Sequence, residues 1–291
     1  MQENKPFDKS ILAKLEALQA KYAAMGQDLN SYLDGLLHAD YLTYWDYINL
    51  DTLLSLQHPI TPFPDEEIFI IYHQITELYF KLSLHEFQQL QHADAMDSAV
   101  LLKRVKRINR YFEALTHSFE IMVDGMDKDQ FLKFRMSLLP ASGFQSAQYR
   151  MIEIHATSFD RLLKEEFREA SSDHTPADLA ALFDKIYWKA GAVELSSGDK
   201  TLTLKQFEQK YDHELMELAE NCFDGNLRSF WKNLGPGQQT DELRQALRWL
   251  DVNVNINWPL SHYKSAVRYL QKNPEDIAAT GGTNWQKYLP P

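Results

Sequence analysis

A single cysteine, Cys222, occurs in 291 residues. That count excludes an intrachain disulfide scaffold, a thiolate zinc site and a cysteine-held iron–sulfur cluster within one chain. Glycine and proline are also sparse, at 11 each, and β-branched alternation is rare, so an all-α fold is expected. No stretch approaches the roughly 20 apolar residues of a membrane span. The opening residues, Met1-Gln2-Glu3-Asn4-Lys5, lack the apolar run of a secretory signal. Basic charge is in deficit: 30 Lys and Arg stand against 41 Asp and Glu, a formal net charge of −11. A polyanion is a poor partner for such a chain, so neither nucleic acid nor a membrane is expected. The densest basic run, Lys103-Arg104-Val105-Lys106-Arg107, reads as a solvated helix face. These absences together predict a soluble, cytoplasmic protein.

What is present is apolar and aromatic. Hydrophobic residues make up 44%, with 16 Phe, 14 Tyr and 6 Trp, enough for a sizeable core. Amphipathic periodicity predicts helices from about Ser10 to Ala24, from Asp65 past Lys81, and on to about Val123 after a polar break at His92 to Asp97. Further helices are predicted over Asp127 to Leu138 and after Ser146. Two or three more fall between Pro176 and Leu250, and a last one spans Asp251 to Lys272, kinked at Pro259. No repeat, low-complexity tract or long linker appears, so residues 1–291 are expected to form a single helical domain. Asp40 to Leu50 is crowded with Tyr41, Tyr44, Trp45 and Tyr47; from the residues alone it reads as a packed entry loop rather than a lid.

The chain is organised around Phe69 to Lys81. Prolines 62 and 64 end whatever precedes it, Asp65 can cap the free N–H groups, and Glu66 and Glu67 complement the helix dipole. Ile68, Ile71, Tyr72, Ile75, Leu78, Tyr79 and Leu82 make a wide apolar face, beside which Phe69, His73, Glu77 and Lys81 form one ridge. His85-Glu86 and His213-Glu214 read as surface residues. There is no repeated Glu-x-x-His, no His-Glu-x-x-His, no glycine-rich phosphate loop and no Gly-x-Ser-x-Gly elbow. Two isolated histidines on apolar helices remain, His73 and His262. A buried histidine is more often a satisfied structural residue than a ligand, although a haem would need one neutral imidazole between helices.

Four ordered blocks resemble the tryptophan 2,3-dioxygenase family. Asp65-Glu66 with Phe69 to Lys81 is similar to its signature helix. Tyr44-x-x-Tyr47-Ile48-x-Leu50-Asp51-x-Leu53-Leu54-x-x-Gln57 resembles its amino-terminal segment. Phe134-Arg135 followed by Pro140 to Gln145, Ser146, Gln148, Tyr149 and Arg150 resembles its central motif. Trp258-x-x-x-His262-x-x-x-x-x-Arg268 with Thr280-Gly281-Gly282 resembles its carboxy-terminal site.

The resemblance implies a haem b enzyme, active as the ferrous form, that inserts O2 across the indole C2–C3 bond of L-tryptophan to give N-formyl-L-kynurenine. It further implies a homotetramer in which residues 1–60 contact a neighbouring subunit. On this likeness His262 is the axial haem ligand, Ser142 and Gly143 line the haem pocket, and His73 accepts the indole N–H. Phe69 and Phe131 would wall the indole, Arg135 would pair with the substrate carboxylate, and Thr280 would hold the ammonium and carboxylate end. Tyr44 and Tyr47 would reach the pocket, which turns the entry-loop reading of that segment round. Departures lie at the spacing after Leu270, at Thr283 to Gln286, where the family usually has serines and glycine, and at Tyr79, where tryptophan is commoner. A related haem oxygenase for another indole or aromatic amino acid, or a haem-binding protein without turnover, are the alternatives.

Overall fold

The structure, a computed structural model, describes residues 8–39, 43–93, 96–135, 146–168, 175–190 and 199–270. Among them the all-α expectation holds: no strand occurs, and Leu163 with Ile186 forms an isolated antiparallel bridge. No helix among the described residues is long and apolar enough to cross a membrane. The chain divides into two compact units, Met1–Leu56 and Gln57–Pro291.

The first unit carries α1 (Lys9–Ala24), α2 (Leu29–Leu37), α3 (Tyr44–Tyr47) and α4 (Leu50–Leu53). Asp8, Asp28 and Thr43 cap the first three by accepting backbone N–H groups of the first turn. Within the stretch expected as an entry loop, Tyr44–Tyr47 is therefore a short helix, while the short helix that Asn49 to Leu54 suggests is present as α4. Asn49 joins the two, its φ of 52° placing it in the left-handed region that asparagine tolerates.

The second unit holds α5 (Asp65–Gln91), α6 (Ser98–Ser118), α7 (Glu120–Asp124), α8 (Lys128–Phe134) and α9 (Ala147–Ala156). After them come α10 (Glu165–Arg168), α11 (Leu179–Leu182), α12 (Tyr187–Ala190), α13 (Leu202–Asn221), α14 (Leu227–Asn233), α15 (Asp241–Val252) and α16 (Trp258–Leu270). The main core forms where α5 lays Tyr72, Phe80, Phe87 and Leu90 against Leu101, Val105, Ile108, Phe112 and Leu115 of α6. Each such side chain contributes about 1.5–3 kcal/mol on burial. A second core gathers Ile154 of α9, Ile186, Trp188 and the α13 residues Leu204, Phe207 and Leu215.

Three details differ from expectation. Pro64, not Asp65, occupies the α5 cap position; Asp65 instead accepts the backbone N–H of Asp127, tying α5 to the start of α8. Glu66 is buried and folds back on the preceding turn, accepting the N–H of Ile60 at 3.0 Å and of Thr61 at 2.7 Å. Glu86 is fully buried rather than on the surface, because Arg104 at 2.9 Å and Arg107 at 3.0 Å reach it from α6. The basic run is thus partly a cross-helix clamp. A buried carboxylate survives only with such partners.

His155 couples the two cores. Its ring stacks on Phe87, centroids 5.1 Å apart, and Nδ1 lies 3.3 Å from the thiol of Cys222, which also accepts from Gln91 at 3.0 Å. Burial pushes the Cys222 thiol up to about 11 and lowers His155 to about 4. Both stay neutral, and the S–H can donate to the ring.

A depressed histidine pKa gives stability above pH 6.5, its unfolded value, that is lost as pH falls toward 4. At pH 5 the loss is about 2 kcal/mol. The urea midpoint should therefore drop between pH 7.5 and pH 5, and His155→Phe should show a smaller drop. An equal drop in the variant would remove His155 as the cause.

Candidate active site

Of the wide apolar face expected on α5, one side only is core. Tyr72, Thr76 and Phe80 are buried, whereas Ile71, Ile75, Leu78 and Leu82 are exposed on the opposite side. His73 lies beside the buried face. Its Nδ1 is 2.7 Å from the carbonyl of Phe69 one turn earlier, and a carbonyl can only accept, so Nδ1 carries the proton. Nε2 is left with its lone pair. The ring keeps an accessible face, yet the protein crowded about it lowers its pKa, against the raising effects of the Phe69 carbonyl and Glu77. The crowding decides the charge: His73 is neutral at pH 7 and offers an acceptor.

His262 on α16 is built the same way. Nδ1 lies 3.1 Å from the carbonyl of Trp258, again leaving Nε2 as a lone-pair donor. Burial lowers it to about 4 despite that bond, and the charge of His73 acts in the same direction as burial. Both imidazoles are therefore neutral, each locked in one tautomer by the carbonyl four residues earlier. Aromatic rings join them: Phe119 lies 4.5 Å from His262, 5.3 Å from Trp258 and 5.6 Å from Tyr72 (centroid distances).

The approach to His262 is unusual. Where a kink at Pro259 was expected, α15 runs through a π-helical turn, Asn253–Asn257, directly into α16. Pro259 has no N–H for the carbonyl of Asn255, and that carbonyl lies in the widened turn. Side chains hold the turn in place. Asn253 donates to Asn109 at 3.0 Å and accepts from Asn257 at 2.9 Å, Asn109 donates to the Ala246 carbonyl at 2.9 Å, and the Tyr149 hydroxyl donates to the Val254 carbonyl at 2.8 Å. This network fixes where Trp258 and His262 begin.

The third wall is α8. Phe69 lies 4.0 Å from the His73 ring, 5.8 Å from Phe134 and 6.5 Å from Phe131, and Phe131 packs tilted against Tyr269 at 4.6 Å (centroid distances). Arg135 closes α8 and is half-buried. Among the described residues no carboxylate pairs with it. Phe69, His73, Phe131 and His262 are thus linked through one aromatic assembly, with Arg135 on the same helix as Phe131. Ser142, Gly143 and Thr280 lie outside the described residues. Tyr44 and Tyr47 sit on α3 of the first unit, where both are exposed, at 71% and 74%. Sequence reasoning missed Phe119, Asn109 and Asn253; none carries a motif, and only the meeting of α6 with the π turn gives them their place.

Fold and site together define a helical protein whose aromatic assembly carries two neutral imidazoles, one fit to ligate a metal and the other to offer an acceptor. The sequence pattern of tryptophan 2,3-dioxygenases matches residues 36–179. The tryptophan 2,3-dioxygenase of Pseudomonas aeruginosa is 29% identical over 272 residues, covering 89% of this chain and 86% of the relative. That of Bacillus thuringiensis is 29% identical over 262 residues, covering 87% and 89%. The Ruegeria enzyme is 42% identical over 116 residues, an alignment that spans 40% of this chain and 41% of that relative. The chain belongs to the tryptophan 2,3-dioxygenase family.

Proposed function

We propose that the chain oxidises L-tryptophan with O2 to N-formyl-L-kynurenine, using haem b held by His262. The observation that carries this reading is the pair of neutral imidazoles, each with Nδ1 tied to a backbone carbonyl and Nε2 without a partner among the described residues. The donor set fits a haem: one imidazole ligand, aromatic walls and no competing thiolate. What a bound ferrous haem supplies is activation of O2 for insertion of both oxygen atoms across the indole C2–C3 bond.

The protein's own part is orientation. The His73 Nε2 accepts the indole N–H, which sets the ring's register. Phe69 and Phe131 pack on its faces and edges and keep water out. Arg135 meets the carboxylate with a two-pronged, charge-assisted fork. By the family resemblance Ser142 and Gly143 would line the haem pocket, and Thr280 would hold the ammonium and carboxylate end.

The same reading treats residues 1–291 as one haem dioxygenase domain working as a cytoplasmic homotetramer, with residues 1–60 lying against a neighbouring subunit. Tyr44 and Tyr47 would then complete that neighbour's pocket. Their exposure supports this, as does the unpartnered apolar stripe Ile71, Ile75, Leu78 and Leu82 of α5.

The test is turnover of L-tryptophan by haem-loaded, reduced protein in air, followed as N-formylkynurenine. Product should form, and His73→Ala should keep its haem while turnover slows by about 10²-fold, the lower range for losing a positioned proton partner. Absence of product from reduced haem protein would sink the substrate assignment. Inability to hold haem would sink the enzyme reading altogether.

A further inference from the structure

A cleft of about 500 Å³ opens between α14, α15 and the segment that follows α9, and neither histidine of the pocket lines it. Its volume lies within the roughly 300–1,000 Å³ typical of small-molecule sites. Leu162, Leu227, Leu247 and Leu250 give it an apolar floor, and Trp231 forms a side. Four arginines, Arg161, Arg228, Arg244 and Arg248, converge on it in a chain whose net charge is −11.

Two of these are already engaged. Arg161 lies 3.7 Å from Asp160, and Arg244 pairs with Asp241 at 2.7 Å while its guanidinium sits 5.7 Å over the Trp231 ring. Arg228 and Arg248 have no carboxylate partner among the described residues. An exposed arginine such as Arg248 is ordinarily just solvated. Arg228 is different, because its Nε is buried with no hydrogen-bond partner among the described residues, a costly condition for a charged donor. The two carboxylates in the wall do not answer it. Glu153 is held by Arg150 at 2.6 Å and by the Tyr187 hydroxyl, and Asp251 accepts from Asn255 at 2.7 Å. Asn255 is neutral, so Asp251 keeps its charge; the Arg228 and Arg248 guanidiniums against that one carboxylate leave the cleft net positive.

We propose that this cleft binds a small organic anion with a flat apolar body. Its carboxylate would bridge Arg228 and Arg248, and its ring would lie between Trp231 and the leucine floor. A bare inorganic anion would leave the tryptophan and leucines unused, and a neutral hydrocarbon would leave the Arg228 donor orphaned. Val254 and Asn255 of the π turn also line the cleft, so the occupant would rest against the element that leads to His262.

Calorimetric titration of the full-length, haem-loaded protein with 2-naphthoate tests this, with 2-naphthalenemethanol and inorganic phosphate as the neutral and apolar-free controls. One site per chain is expected, with both controls at least about tenfold weaker, the range of one charge-assisted contact. Arg228→Gln should weaken 2-naphthoate by about tenfold or more, and the exposed Arg248→Gln, which does not threaten folding, should weaken it measurably. Arg135→Leu and saturating L-tryptophan should leave binding unchanged. No binding, displacement by L-tryptophan, indifference to both arginine substitutions, or equal affinity for either control would each overturn the proposal.

Discussion

Replacing His262 by alanine is expected to give a protein that no longer retains haem. The side chain is the sole described imidazole on α16, and its Nε2 is free for a metal because Nδ1 is spent on the Trp258 carbonyl at 3.1 Å. With a pKa near 4, it needs no deprotonation before binding at pH 7, so no affinity is lost to proton competition. His73 carries the same arrangement, its Nδ1 tied to the Phe69 carbonyl at 2.7 Å and its Nε2 free, so the parallel His73 variant tells which imidazole holds the iron. Loss of an outer-shell partner costs about 10–100-fold in metal affinity, and loss of the ligand itself should exceed that. The haem-to-protein ratio after gel filtration measures it, with His73→Ala as the parallel variant that keeps its haem. Removing a ring packed on Phe119 and Trp258 also leaves a cavity. Free imidazole added to His262→Ala should therefore restore haem binding. Undiminished haem in His262→Ala would show that the iron is held elsewhere.

The long helix α5 was legible in the sequence, but its orientation was not. A helix apolar on most sides has no strong directional signal. The periodicity could not tell that Tyr72, Thr76 and Phe80 would face the core while Ile71, Ile75, Leu78 and Leu82 stayed exposed. Glu86 misled for the opposite reason. Its burial depends on Arg104 and Arg107, 18 and 21 residues on, which meet it only once α6 has packed back on α5. The proline at 259 signalled a disturbance in the last helix, and a disturbance is there. Its form, a π turn held by Asn109, Asn253 and Tyr149, rests on contacts about 100 residues or more apart, as with Tyr149 and the Val254 carbonyl. His73 and His262 stood out as isolated histidines on apolar helices. That His73 helps to lower the pKa of His262, and that Phe119 and Tyr72 lie between their elements, is tertiary information.

Arg135→Leu is expected to raise the KM for L-tryptophan by roughly 10–150-fold, the equivalent of a charge-assisted contact of about 1.5–3 kcal/mol. The guanidinium is half-buried at the end of α8, on the helix that presents Phe131 and Phe134, and no described carboxylate neutralises it. A cation placed so can hold a substrate carboxylate equally in the ground and transition states, so kcat should change far less than KM. The haem spectrum should not change, because nothing on α8 is assigned to the iron. Arg135→Lys should recover only part of the loss, since an ammonium replaces a planar fork with a point charge. Tryptamine, an indole with an amine and no carboxylate, separates this contact from general damage to the pocket. Both proteins should treat tryptamine alike, however poorly, if Arg135 acts on the carboxylate. If the parent keeps its advantage with tryptamine, Arg135 is shaping the pocket rather than binding the acid, and the carboxylate must be held by another group.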